Sequence, residues 1–181
     1  KEDYTPKYSG AVSIHVSNLI KYSKYKNTTT VFGNTLKKKY LSKNFFNIGI
    51  NKSFFSSNNK RYLEKFIEIN KRIPHDLIEI HNRPSYVKAI SENLKSKIML
   101  YFHNNPLTLL GSKTLPDRLE LLDRCDYIFF NSQWTKNKFF TNIDENKYIS
   151  SFGICYQSTK KNKTNINRKK NIISFVGKLN T

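Results

Sequence analysis

The stretch KIMLYFHNNP, Lys97 to Pro106, runs through five apolar residues and then breaks abruptly into His103-Asn104-Asn105-Pro106. Five apolar side chains in a row, ended by amides and a proline, read as a buried strand from Lys97 to Phe102 that emerges from a core. Two further stretches end the same way. DLIEIHNRP runs Asp76 to Ile80 and then gives His81-Asn82-Arg83-Pro84, and DYIFFNS runs Tyr127 to Phe130 and then gives Asn131-Ser132.

Helical patterns alternate with these runs. Val12, Val16, Leu19, Ile20 and Ser23 share one face of a helix entered through Gly10, and Tyr62, Leu63, Phe66, Ile67, Asn70 and Ile73 share one face of another, stopped by Pro74. Residues 28–33 and 45–50 read as short strands and 51–60 as a polar loop. Pro84 to Lys95 reads as helical, as does Leu115 to Cys125, with Leu119 and Leu122 inward. Ser132 caps a helix carrying Trp134 and Phe139, and Lys147 to Phe152 reads as a last strand. Helices alternating with continuously apolar strands imply an α/β fold, a doubly wound parallel sheet covered on both faces.

Composition narrows the function. The 181 residues carry a formal charge of +19, with 38% hydrophobic and 14% aromatic residues, enough for a globular core. No apolar run approaches the roughly 18 residues that cross a bilayer, and the amino end lacks the pattern of a signal peptide. Lysine, asparagine, isoleucine, phenylalanine and tyrosine are abundant together while arginine is scarce, as AT-rich coding would produce, so most of the charge needs no nucleic-acid partner. The positive field nonetheless draws the chain toward anionic membrane surfaces and anionic ligands, so a cytoplasmic, peripheral membrane association is expected. Cys125 and Cys155 lack metal-ligand spacing and read as reduced thiols of a cytosolic protein.

In open parallel sheets the ligand crevice lies outside the carboxyl ends of the strands. His81, His103 and Asn131 fall at such ends, and Gly10 lies in the first loop, so they are expected on one rim. A histidine there can bind phosphate or hydroxyl groups or move a proton; the plainer reading makes each a turn or cap residue. His75 reads as solvated, and His15 as core or site. Between Tyr156 and Lys170 the chain turns basic and polar, a linker, before NIISFVGKLNT begins a fresh strand. Only nine residues precede Gly10 and none forms an apolar run, so the first strand of the sheet is expected to lie outside the sequence, as is most of a second domain.

The ordered set YSGAVSIHVSNL, DLIEIHNRP, IMLYFHNNP, CDYIFFNSQWTKNKF and IISFVGKLN resembles the GT-B-fold glycosyltransferases, specifically the large retaining group designated family four. The resemblance covers essentially the whole chain. It implies two facing Rossmann-like domains: residues 1–155 as an acceptor domain lacking its first strand, 156–170 as the basic linker, and 171–181 as the first strand of a donor-binding domain. It implies transfer of a sugar from a nucleotide-diphosphate donor to a saccharide or lipid-linked hydroxyl acceptor in surface-polysaccharide or glycolipid assembly. His103, with Asn104, would face the transferred sugar, and Ser9-Gly10 would lie near the donor diphosphate, with serine replacing the first glycine of the family's pair. Asn131-Ser132 matches the family's strand-end serine in the cleft wall, which His81, Asn82 and Arg83 would join. Gly177-Lys178 stands where the family has Gly-Arg, keeping the charge and losing the bidentate geometry. No clustered Asp/Glu ligands are visible, so neither a metal nor a cofactor is expected beyond the nucleotide-sugar substrate. The alternatives are a non-catalytic lysine-rich nucleic-acid binder, which requires lysines on one face with exposed aromatics, and a GT-B sugar-nucleotide epimerase.

Overall fold

Along β4 (Lys97–Phe102), Ile98, Leu100 and Phe102 point to one face and Met99 and Tyr101 to the other, as the two-residue period of a strand requires. The computed structural model, which describes residues 3–50 and 57–157, builds a sheet around this strand. β3 (Leu77–His81), β4, β5 (Tyr127–Phe130) and β6 (Phe152–Ile154) lie side by side in that order, all parallel, with His81 opposite Tyr101 and Phe102 opposite Phe130. β1 (Val31–Gly33) and β2 (Phe45–Asn47) form a separate parallel pair.

The core occupies one face of the larger sheet. Ile78, Ile80, Ile98, Leu100, Phe102, Ile128 and Phe130 meet Phe66 from α2 (Asn58–Arg72), Val87 and Ile90 from α3 (Val87–Asn93), Leu121 and Leu122 from α4 (Leu115–Arg124), and Phe139 from α5 (Gln133–Phe139). Phe102, Phe130 and Phe139 are fully buried, with ring centroids 5.3–5.7 Å apart; burying each such side chain contributes about 1.5–3 kcal/mol. On the opposite face α1 (Ala11–Tyr22) brings His15 onto Tyr101. Helices thus flank the parallel sheet on both faces, an α/β architecture.

The turns set the strand ends. α4 opens with a reciprocal capping box between Thr114 and Asp117. The Ser57 and Ser132 hydroxyls cap α2 and α5. Gly111, at φ +89, brings its backbone against the turn that follows β3; a Cβ there would lie 2.6 Å from the Ser85 nitrogen, so only glycine fits.

Several sequence expectations are corrected. β3 and β5 alternate between buried and exposed residues rather than being buried throughout; Leu77 and Tyr127 are exposed because α1 covers the second face only in part. On α1 the buried residue is His15, and Leu19 is exposed. Ile73 and Leu119 are exposed, and Leu121 takes the inward place beside Leu122. Residues 84–86 form a short 3-10 turn ahead of α3. The last strand is Phe152–Ile154, displaced from 147–152, because Asp144 accepts the Asn146 N–H and starts a 3-10 segment through Ser151. The linker beyond Gln157, the 171–181 strand with Gly177 and Lys178, and part of the 51–60 loop lie outside the described residues. Both cysteines are free; burial, then the neighbouring Asp126, pushes the Cys125 thiol up to about 12. Among the described residues no helix is long and apolar enough to cross a membrane.

Candidate functional site at the strand carboxyl ends

The amides that end the apolar runs are structural clamps on a histidine. Asn82 leaves β3 at φ +53, the left-handed region that asparagine tolerates, while its N–H donates to the Tyr101 carbonyl at 3.0 Å. That turn aims its side chain across to β4, where Oδ1 accepts from the backbone N–H of His103 at 2.8 Å and of Asn104 at 3.2 Å. From the other side, Asn131 donates its backbone N–H to the Phe102 carbonyl at 3.1 Å and its Nδ2–H to the His103 carbonyl at 2.8 Å. The Thr135 hydroxyl donates to Asn131 Oδ1 at 2.6 Å and fixes the amide's orientation. Asparagines just past the ends of the two neighbouring strands therefore hold the peptide of His103 at both its N–H and its C=O.

The ring of His103 is held as firmly. Its Nε2 lies 2.8 Å from His81 Nδ1, and its Nδ1 lies 2.9 Å from the side-chain Nε2 of Gln157, an exposed residue just past β6. His81 Nε2 in turn lies 3.1 Å from a Glu79 carboxylate oxygen. His15 meets the His103 ring edge-on with centroids 5.2 Å apart, and its own Nε2 is buried with no hydrogen-bond partner among the described residues. Tyr101 lies beneath, its hydroxyl donating to the Cys155 carbonyl.

Burial, then the nearby rings of His81 and His15, lowers the pKa of His103 to about 3. Burial also lowers that of His15, reinforced by His81 and opposed by Glu79. His103 is therefore a neutral imidazole near pH 7. A carboxamide nitrogen only donates, so His103 Nδ1 accepts from Gln157 and the ring proton sits on Nε2. That proton points at His81 Nδ1, which accepts it, leaving His81 Nε2–H to donate to Glu79. The carboxylate can only accept, so both ends of the chain impose the same direction.

A pH dependence of stability follows. The pKa of His103 in the folded state lies below its unfolded value of 6.5, so as the pH falls below 6.5 the unfolded chain takes up a proton that the folded chain refuses until about 3. His103's contribution is fully present above 6.5 and is lost on acidification, by about 2 kcal/mol between pH 7 and pH 5. Glu79 and His81 on β3, Tyr101 on β4 and His15 on α1 face the same ring, and His15 adds a loss of the same sign. Urea titrations at the two pH values should show this fall, with a shallower one in His103→Gln; equal slopes in the two proteins would contradict it.

Of the sequence-selected residues, His81, Asn82, His103, Asn104 and Asn131 come together, with the Asn104 side chain exposed at the rim. Arg83 donates back to the Asn82 carbonyl at 3.0 Å, away from this chain of hydrogen bonds. The Ser132 hydroxyl is engaged by Thr135 as the cap of α5. Ser9 and Gly10 are half-buried at the entrance of α1, where Gly10 is the N-cap residue and no side chain caps the free N–H groups. Glu79 and Gln157 were not singled out from the sequence, and His15, read there as core or site, packs on Tyr101 and beside His103. Glu79 was legible: two residues before His81 in one strand, it must share a face with it. His75 is engaged by Asn70 at 2.8 Å. Among the described residues, a surface cavity lined by Pro84, Lys88, Leu110, Lys113 and Arg124 and a smaller one lined by Gly49, Arg61 and Glu68 lie elsewhere, without His81 or His103 in their walls. Among the described residues no group of His, Cys, Asp and Glu is arranged to hold a metal ion. Comparison with known proteins finds no matching family model and no matching curated protein.

Proposed function

We propose that this chain is the acceptor-side domain of a GT-B glycosyltransferase that moves a sugar from a nucleotide-diphosphate donor to a hydroxyl of a saccharide or lipid-linked acceptor in surface-polysaccharide or glycolipid assembly. The observation that carries the reading is the position of His103: clamped at the carboxyl end of a central parallel strand, neutral, and with Nδ1 turned toward the exposed side chain of Gln157. A hydroxyl can take the place of the Gln157 amide as donor to that nitrogen. The uncapped N-terminus of α1, without an acidic residue in its first turn, suits the charge of a departing diphosphate. Stabilising that leaving charge is where a site of this kind lowers its barrier most. The high positive charge favours anionic substrates and membrane surfaces alike.

The intact protein should release nucleoside diphosphate from a nucleotide hexose when an acceptor is present. His103→Ala should lower that release about 100-fold or more. Unchanged turnover in the variant removes His103 from the reaction.

A second reading has one observation in its favour. Tyr8, Tyr22 and Tyr25 are exposed and each has a lysine ammonium over its ring: Lys37 at 5.1 Å over Tyr8, Lys21 at 5.6 Å over Tyr22 and Lys24 at 4.9 Å over Tyr25. Lysines interleaved with exposed rings suit single-stranded nucleic acid. Salt-titrated binding to an RNA oligomer and to anionic vesicles separates the readings: RNA bound tightly, with no nucleotide-sugar turnover, selects the second.

A further inference from the structure

We propose that Glu79, His81 and His103 form a proton relay, which takes the proton of a ligand hydroxyl at His103 Nδ1 and delivers it to the Glu79 carboxylate at the solvent boundary. The inference rests on the hydroxyl-acceptor reading above and assigns Glu79 a part in that chemistry.

Three features of the geometry carry it. The links are continuous, at 2.8 Å between the imidazoles and 3.1 Å to the carboxylate, both within proton-transfer reach. They are also unidirectional: with the protons on both Nε2 atoms, His103 Nδ1 is a bare acceptor at one end and Glu79 a bare acceptor at the other. Finally, exposure grows along the path, from a buried His103 to a His81 side chain 16% exposed and a Glu79 side chain 35% exposed, so the proton moves toward water.

A relay also answers a difficulty in using His103 alone. Two further imidazoles crowd its ring, so an imidazolium there would be costly to form. In the relay no ring ever carries two protons for long. As the acceptor oxygen bonds to the anomeric carbon, the bond from that carbon to the diphosphate breaks and its electron pair leaves on the diphosphate. The acceptor O–H proton passes to His103 Nδ1, the His103 Nε2 proton to His81 Nδ1, and the His81 Nε2 proton to Glu79. Both imidazoles end neutral in the opposite tautomer and Glu79 ends as a carboxylic acid. Once product has left, the same path run backward with water as acceptor restores the starting state.

Glutamine at position 79 separates relay from scaffold, because its amide oxygen still accepts from His81 Nε2 but cannot take up a proton. In Glu79→Gln the kcat for nucleoside diphosphate release, assayed with a panel of nucleotide hexoses and methyl hexosides, should fall at least about tenfold with KM unchanged. The solvent deuterium isotope effect should fall with it. A wild-type kcat in this variant overturns the proposal. Ring-nitrogen NMR of the intact protein at pH 7, which needs no turnover, should find His81 and His103 both protonated on Nε2 and bare on Nδ1, in wild type and in Glu79→Gln. An Nδ1–H tautomer or a doubly protonated ring at either position overturns the relay, whereas a protein with the expected tautomers and no transferase activity overturns the functional reading on which it rests.

Discussion

Asn82→Ala should destabilise the fold by about 3–5 kcal/mol and uncouple His103 from its strand. Asn82 is buried and its Oδ1 is the acceptor for two backbone N–H groups, those of His103 and Asn104. A buried N–H left without a partner costs about 1–3 kcal/mol. The backbone adds to this, since Asn82 sits at φ +53, where a residue with a Cβ and no local hydrogen bond is disfavoured by about 1–2 kcal/mol. Asn82→Asp is the control, because a carboxylate keeps both acceptor contacts and tolerates the left-handed region. It should lose much less stability than the alanine variant. Urea denaturation of the three proteins at pH 7 reads the difference, and equal losses in the two variants would remove the clamp from the account.

Asn82 also illustrates which parts of the site the sequence exposes. The strands were legible from their apolar runs, and the histidines from the abrupt ends of those runs, because a parallel strand leaving a core must change composition within one or two residues. His81 and His103, expected together at the strand ends, do lie side by side there. Their mutual hydrogen bond was not legible, since it depends on strands β3 and β4 pairing with His81 opposite Tyr101, a register that no local pattern specifies. The asparagines looked like turn residues, and they are, but their side chains also bridge between strands. Gln157 was assigned to a polar linker because the chain turns basic and polar just past Tyr156, and its contact with His103 spans fifty-four residues that no local pattern bridges. His15 was read as core or site but left off the inward face: helical spacing favoured Leu19, yet Tyr101 gives a flat aromatic surface that takes an imidazole at 5.3 Å instead. Burial on both faces was expected from runs read as continuously apolar. The alternation Leu77-Ile78-Glu79-Ile80-His81 already indicated otherwise, and that alternation is what places Glu79 beside His81.

Phe102→Ala should cost about 3–5 kcal/mol and should disturb His103 more than its distance from the ligand side suggests. Phe102 is fully buried, stacked on Phe130 with centroids 5.7 Å apart and planes 8° from parallel, and packed against Phe139 at 5.4 Å. Removing its ring leaves a cavity bounded by two other rings, each fixed by further aromatic neighbours, so the site has little freedom to collapse. The residue is also the last of β4. Its carbonyl receives the Asn131 N–H, and the next peptide is the one clamped between Asn82 and Asn131. Relaxation of β4 into the cavity therefore shifts the clamp, lengthening the contact between the His103 and His81 rings. Phe102→Leu fills most of the volume and should lose under half as much stability while leaving the ring tautomers unchanged. The measurement is denaturant midpoint together with ring-nitrogen NMR: Phe102→Ala should lower the midpoint and alter the His103 signals in the same variant. A large drop in stability with His103 signals identical to wild type would show that the aromatic core and the histidine chain are mechanically independent.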